Sequence, residues 1–363
     1  MNELLLAYLR HAQQHYCDLD GNPTDELRHI KTACRFVREL YGEQTAAAFG
    51  PLALKSVRQK FVDLGWGRKT VNARVERVRR VFKWAVAEEL VSPLVHQALA
   101  AVPGLQRGRT KAREAEPVGP VANDVVDATL PFLNRHIRGL VEFQRLTGCR
   151  PGEACVLRRC DIDTSGAVWR FKPVRHKTAW KGKSRTISIG PKAQAMIRPF
   201  FTDDPTDYLF SPARAVAEFR AERSAARKTP KYPSHMARNE TKRVARRIRP
   251  PAARYSRMSY LTAVTRGCDR AFPPTGALAR RPKESVAKWR ARLSDEQRDA
   301  VKVWQREHRW HPNQLRHTFG TEVRRVYGLE AAQVLLGHSR ADVTQVYAER
   351  NESLAAEIAK KIG

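Results

Sequence analysis

HPNQLRHTFGTEV (311–323) is the stretch on which the reading of this chain turns, and LLGHSRADVTQVYAE (335–349) completes it. Across the two, Arg316, His338 and Tyr347 stand in the order of a phosphate-binding site that ends in a phenol. Upstream, LTGCRPGEACVL (146–157) supplies Arg150, and HKTAWKGKSRTISIG (176–190) is a hairpin-like run that carries lysines. A phenol is a weak nucleophile at neutral pH because its pKa is ~10. It becomes effective where cationic groups stabilise the charge that develops as it attacks a phosphodiester. Two arginines, a lysine and a histidine ahead of one tyrosine point to that chemistry.

Composition narrows the field further. A chain of 363 residues suggests two domains, within a range of two to three, and 42% hydrophobic residues are enough for ordinary cores. No run of 18 apolar residues occurs, and MNELLLAYLRH lacks a basic leader and cleavage site, so neither a membrane span nor a secretory signal is expected. The expected location is cytoplasmic and nucleoid-associated. Six cysteines without a CxxC pair sit mostly inside apolar patterns and read as reduced core thiols rather than disulfides or zinc ligands. The net charge of +30 calls for a polyanionic partner, since lysine and arginine release condensed counterions on neutralising phosphates. A basic surface that merely aids solubility is the weaker explanation.

Residues 1–103 read as a helical domain. Thr24 caps a helix with Leu27, Ile30, Cys34, Val37 and Tyr41 at three- and four-residue steps, and Gly42 ends it. Thr70 is the expected cap of a later helix with Val71, Val75, Val78, Phe82 and Val86 on one face. Arg74 flanks that stripe, while Arg77 and Arg80 are expected on its far side. With Arg68 and Lys69 in the turn before the cap, Arg74 and Arg77 are candidate phosphate contacts, against the plainer reading of a solvated basic face. Residues 104–118 lack apolar periodicity and read as a linker. The remaining 119–363 begins with a helical unit, passes through short β-like runs at Val168–Phe171 and Thr186–Ile189, and is helical again from about Ala193. Residues 211–310 hold 26 Lys and Arg against 9 Asp and Glu, more than half of the total excess. This stretch reads as an ordered insertion with a flexible basic part at 242–254, and Ser294 with Gln297 forms a capping box within it.

TGxRxxE at 147–153, a hairpin lysine, LRHTFGT at 315–321, and LGH at 336–338 with a tyrosine nine residues on are joint features. Together they resemble the tyrosine recombinase, or phage integrase, family. GWGRKTVNARVERVRRVFKWAVAEELV (65–91) more weakly resembles that family's helical core-binding domain. The resemblance implies a mainly α fold with a small antiparallel sheet, built from a SAM-like core-binding domain and a catalytic domain. It also implies that Arg150 and Arg316 are the two catalytic arginines, with Glu153 holding the first. Guanidinium donates bidentately to phosphate oxygens, which lysine cannot match. Lys177 corresponds to the general acid that protonates the leaving 5′ oxygen, with Lys181 and Lys183 as rivals in the same loop. His338 corresponds to a phosphate donor, Tyr347 to the nucleophile, and His317 to a mainly structural histidine. Tyr327 is the nearest rival tyrosine but precedes LGH and matches nothing in the pattern.

One position departs from the pattern. The family commonly has histidine three residues before the second arginine, where this chain has Asn313. Asparagine donates a hydrogen bond but neither accepts a proton as imidazole does nor carries charge. Either the site works with a neutral donor, or His311 substitutes, or activity is reduced. The implied reaction uses no cofactor or metal: Tyr347 attacks the phosphate, forms a 3′-phosphotyrosyl link and releases a 5′ hydroxyl. The implied partner is double-stranded DNA with paired recombination sites, bound by a homotetramer that is monomeric in solution. The amphipathic Asn351–Gly363 segment would dock on a neighbour or pack on its own domain. A single-subunit DNA-relaxing topoisomerase and a DNA-binding protein that has lost catalysis are the alternatives.

Overall fold

The computed structural model describes residues 1–18, 21–174, 184–230, 232–245 and 250–337. The chain divides into two compact units, Met1–Pro117 and Val118–Gly363. No described helix is long and apolar enough to cross a membrane, and all six cysteines are free thiols.

The first unit packs α1 (Asn2–His15), α2 (Asp25–Tyr41), α3 (Pro51–Asp63), α4 (Arg68–Ala87) and α5 (Pro93–Ala100). The periodic apolar positions become its core: Leu27, Ile30, Cys34 and Val37 of α2 meet Val71, Val75, Val78 and Phe82 of α4. Thr24 is the N-cap residue of α2, as the spacing indicates. Helix α4 starts three residues earlier than a Thr70 cap suggested, with Gly67 as N-cap. The cause is a bridge between Gly67 and Arg113, in which the Arg68 N–H donates to the Arg113 carbonyl at 2.9 Å. Residues read as a linker therefore lie along the start of α4. Asn72 pairs with both backbone groups of Leu105, at 3.0 and 2.8 Å, its amide acting as a peptide unit would in a strand pair.

The second unit opens with α6 (Asn123–Thr129), α7 (Arg135–Thr147) and the short α8 (Pro151–Ala154). An antiparallel sheet β1-β2-β3 follows, from Ile162–Asp163, Trp169–Phe171 and Ile187–Ile189. Its register sets Phe171 opposite both Ile162 and Ile187, and Trp169 opposite Ile189. Period-two alternation puts these apolar residues on the inner face with Leu140, Val141 and Phe143 of α7. Gly139 lets α7 approach closely, since a Cβ there would run into Phe210 and Phe200. Then come α9 (Pro191–Ile197), α10 (Pro212–Ala225), α11 (Pro233–Ala245), α12 (Arg257–Ala271), α13 (Val286–Arg292), α14 (Asp295–His308) and α15 (Pro312–Leu336). The architecture is mainly helical with a small antiparallel sheet, as expected.

The 211–310 stretch is not one separate block. Tyr260, Val264 and Cys268, at four-residue steps on α12, are buried in the main core. The net charge of the stretch obscured that apolar face. A smaller cluster of Trp289, Leu293 and Val301 joins α13 and α14. The Ser294 capping box is present, with Gln297 N–H donating to the serine oxygen at 3.2 Å and the Gln297 side chain accepting from Ser294 N–H at 3.1 Å. Of the basic 242–254 run, residues 246–249 lie outside the described residues.

Candidate active site

Helix α7 ends at Gly148, whose φ of 61° is left-handed and where a Cβ would strike the Phe319 ring. Two residues later Arg150 caps α8, with Pro151 in the first helical position. Glu153, one turn on, accepts from the Arg150 backbone N–H at 2.8 Å and from its Nη1 at 2.7 Å. The Arg150 side chain is 30% exposed and that of Glu153 only 3%. A buried carboxylate thus fixes one edge of a guanidinium that reaches the surface.

Arg316 lies on α15 and is fully buried. Its Nη1 donates to the Gly148 carbonyl at 2.8 Å and its Nη2 to the Leu336 carbonyl at 2.6 Å. One side chain therefore fastens the turn that precedes Arg150 to the turn that precedes His338. Along a straight helix, Leu336 would stand about 30 Å from Arg316. Gly328, at φ 85° and ψ 176°, breaks the helix and returns the chain, which ends at a left-handed Gly337 with φ 62°. A residue with a Cβ rarely adopts either conformation.

Asn313 and His317 share a side of α15, one turn apart. The Asn313 amide donates to His317 Nε2 at 3.4 Å, which leaves the ring proton on Nδ1. Burial pushes the His317 pKa down to about 4, helped by His311 and Arg316 nearby, so the ring is neutral at pH 7. His311 is half-buried at the N-cap, where its backbone N–H donates to the Gln314 side chain at 3.0 Å. Burial also lowers its pKa.

The structure therefore ties Arg316 to the Gly148–Arg150 turn that Glu153 braces, while Asn313 and His317 pair with each other on the same helix as Arg316. Lys177, Lys181, Lys183, His338 and Tyr347 lie outside the described residues, as does Asn351–Gly363. Tyr327 is 72% exposed. Sequence reasoning missed Arg185, which is buried beside Glu153, with its Nε 3.9 Å from the carboxylate. The signal was present: the alternation of Ile187 and Ile189 extends back one step to put position 185 on the inner face of the sheet. Cys149, between Arg316 and this pair, is an inert thiol. Burial and then Glu153 push its pKa up to about 12, against the opposing pull of both arginines.

In the first unit, Lys69 is exposed, while the three candidate arginines have protein partners. Arg68 pairs with Glu114, and Arg74 donates to the His29 carbonyl and stacks on Trp66 with 5.4 Å to the ring centroid. Arg77 and Arg80, expected on the far side of the stripe, both reach Glu26 of α2, at 2.6 and 3.0 Å. Helix α4 is packed against α1, α2, α3 and α5, so more than its apolar stripe is covered.

With that geometry in hand, known proteins offer a comparison. The sequence pattern described as the phage integrase family matches residues 278–353, which include Asn313, Arg316, His317, His338 and Tyr347. A lambda integrase dimer bound to a COC′ core site superimposes with a TM-score of 0.60 at 12% identity, over 96% of this chain and 77% of that one. Residues 278–353 thus match the phage integrase family, and the fold resembles that of integrases of known structure. The Tn1549 transposon integrase in complex with transposon right end DNA gives a TM-score of 0.59 at 14% identity, over 99% of this chain and 98% of that one. A lambda integrase tetramer bound to a Holliday junction gives 0.57 at 12% identity, over 93% and 77%. At such identities the likeness speaks for the fold alone, while the family match covers the C-terminal motifs. No curated protein matches the chain in sequence.

Proposed function

We propose that this protein is a site-specific DNA recombinase of a mobile element, which cuts and rejoins DNA through a 3′-phosphotyrosyl link to Tyr347. The observation that carries the reading is the double grip of Arg316 on Gly148 and Leu336, residues 168 and 20 positions away from it in sequence. That grip gathers the arginine turn and the end of the integrase helix in one place. Arg150, held by Glu153, is the guanidinium suited to a phosphate oxygen, and Arg316 reinforces the positive potential from inside the fold. Lys177 is the general acid, His338 a phosphate donor and Asn313 a neutral donor in place of imidazole. In the first unit, Lys69 with Arg68, Arg74 and Arg77 contacts DNA phosphates, and four protomers assemble on two DNA sites.

The test is to incubate the protein with sheared DNA from the locus that carries its gene, denature in SDS and sequence the DNA left attached. Adducts at one site, absent from Tyr347→Phe and formed equally in EDTA, support the reading. Tight binding at one site without any adduct would instead favour a DNA-binding protein that has lost catalysis, the reading that Asn313 in the histidine position recommends. Adducts scattered without a site, with relaxation of supercoils by dilute monomer, would indicate a topoisomerase.

A further inference from the structure

Among the described residues, Arg185 is a deeply buried charged group that this mechanism leaves unused. Its side chain is 6% exposed at the entry to β3, on the inner face shared with Ile187 and Ile189. A buried guanidinium is costly unless it is paired, so its contacts show what it does for the fold. Its Nε faces the Glu153 carboxylate at 3.9 Å, and its Nη2 donates to the Leu335 carbonyl at 3.3 Å. The guanidinium also fills the space over Gly337, where a Cβ would collide with it. Arg185 and Arg316 thus take the successive carbonyls of Leu335 and Leu336 at the end of α15, where a helix dipole favours cations.

We propose that Arg185 is a positioning residue for the candidate active site. It holds the carboxylate that aims Arg150, and at its other end it holds the helix terminus that immediately precedes His338. The side chain joins the β-sheet edge, the α8 turn and the α15 terminus, so one substitution disturbs the aim of Arg150 and the exit of the chain toward His338 together. Glu153 then serves two guanidinium groups, and its grip on Arg150 depends on the second.

The inference rests on the proposed recombinase reading, and the wild-type protein is the control that separates the two. A nicked suicide duplex carrying the site recovered by adduct sequencing is cleaved in single turnover by wild type, Arg185→Gln and Arg185→Lys. Misplacement of a catalytic group by about 1 Å costs on the order of 10²-fold, and Arg185→Gln is expected to lose that much cleavage rate. Its affinity for the duplex should stay within about twofold, because the side chain is buried away from any DNA surface. Arg185→Lys keeps the charge and recovers part of the rate. A duplex with a neutral methylphosphonate at the scissile position needs less cationic stabilisation. On it, the gap between wild type and Arg185→Gln should narrow, as it should for Arg150→Ala. A fold defect alone would lower both substrates equally and weaken binding, which overturns the proposal. Cleavage at the wild-type rate by Arg185→Gln also overturns it, while absence of wild-type adducts defeats the recombinase reading itself.

Discussion

Arg316→Ala removes a fully buried guanidinium that donates to Gly148 at 2.8 Å and Leu336 at 2.6 Å. Hydrogen bonds from charged groups contribute ~1.5–3 kcal/mol each, so losing two costs about 3–6 kcal/mol. The void left by a side chain with no exposure adds to this. For a unit of this size each kcal/mol moves the midpoint by about 2–4 °C, which makes the expected fall at least about 6 °C. Thermal unfolding followed by circular dichroism measures it. Hydrogen exchange at 148–150 and 334–337 should localise the loosening to the two turns that Arg316 joins. Arg150→Ala, at a side chain 30% exposed, should shift the midpoint less while abolishing adducts with much DNA affinity kept. A midpoint for Arg316→Ala within about 1 °C of wild type would refute the reasoning. The two carbonyl contacts would then bear no load, and any lost cleavage would come from a guanidinium that works directly on DNA.

Three other outcomes are expected. The His317 pKa falls from an ordinary value near ~6.5 to about 4 in the folded chain. Between those values the unfolded chain binds the proton and the folded one does not, so stability present at neutral pH declines as pH falls through the window. Urea midpoints taken across it should fall less steeply in His317→Gln, and an unchanged slope would contradict the assignment. Asn313→His restores an imidazole at the position from which Asn313 donates to His317, and single-turnover cleavage should hold or rise; a dead variant would mean that the asparagine has a role of its own. Gly337→Ala puts a Cβ into the Arg185 guanidinium at a left-handed position, and should cost at least ~1 kcal/mol in denaturant titrations.

Much of the fold was legible because packing leaves a periodic trace. The apolar steps of α2 and α4, the alternation of β2 and β3 and the Ser294 box all appear where their spacing put them, since each depends on neighbours within a turn or a strand. Errors arose where a distant partner intervened. Thr70 yields the cap position to Gly67 because Arg113 bridges to it, and Arg77 turns to Glu26, 51 residues away. The basic composition of 211–310 concealed α12, whose buried stripe is short and broken by charge.

The residue types of the site, their order and the turns that hold them are written in the chain, because glycine at φ above zero, a capping glutamate three residues on and helical spacing are local requirements. What those side chains touch was decided only by folding. Sequence marks Arg316 as a cation but cannot say that it lies wholly inside, gripping two carbonyls. Nor does it say that Arg185 shares the carboxylate of Glu153 or that Gly328 turns the last helix back on itself. Periodicity reports which face of an element is covered. The identity of what covers it depends on contacts across more than a hundred residues, where only the three-dimensional path of the chain sets the distance.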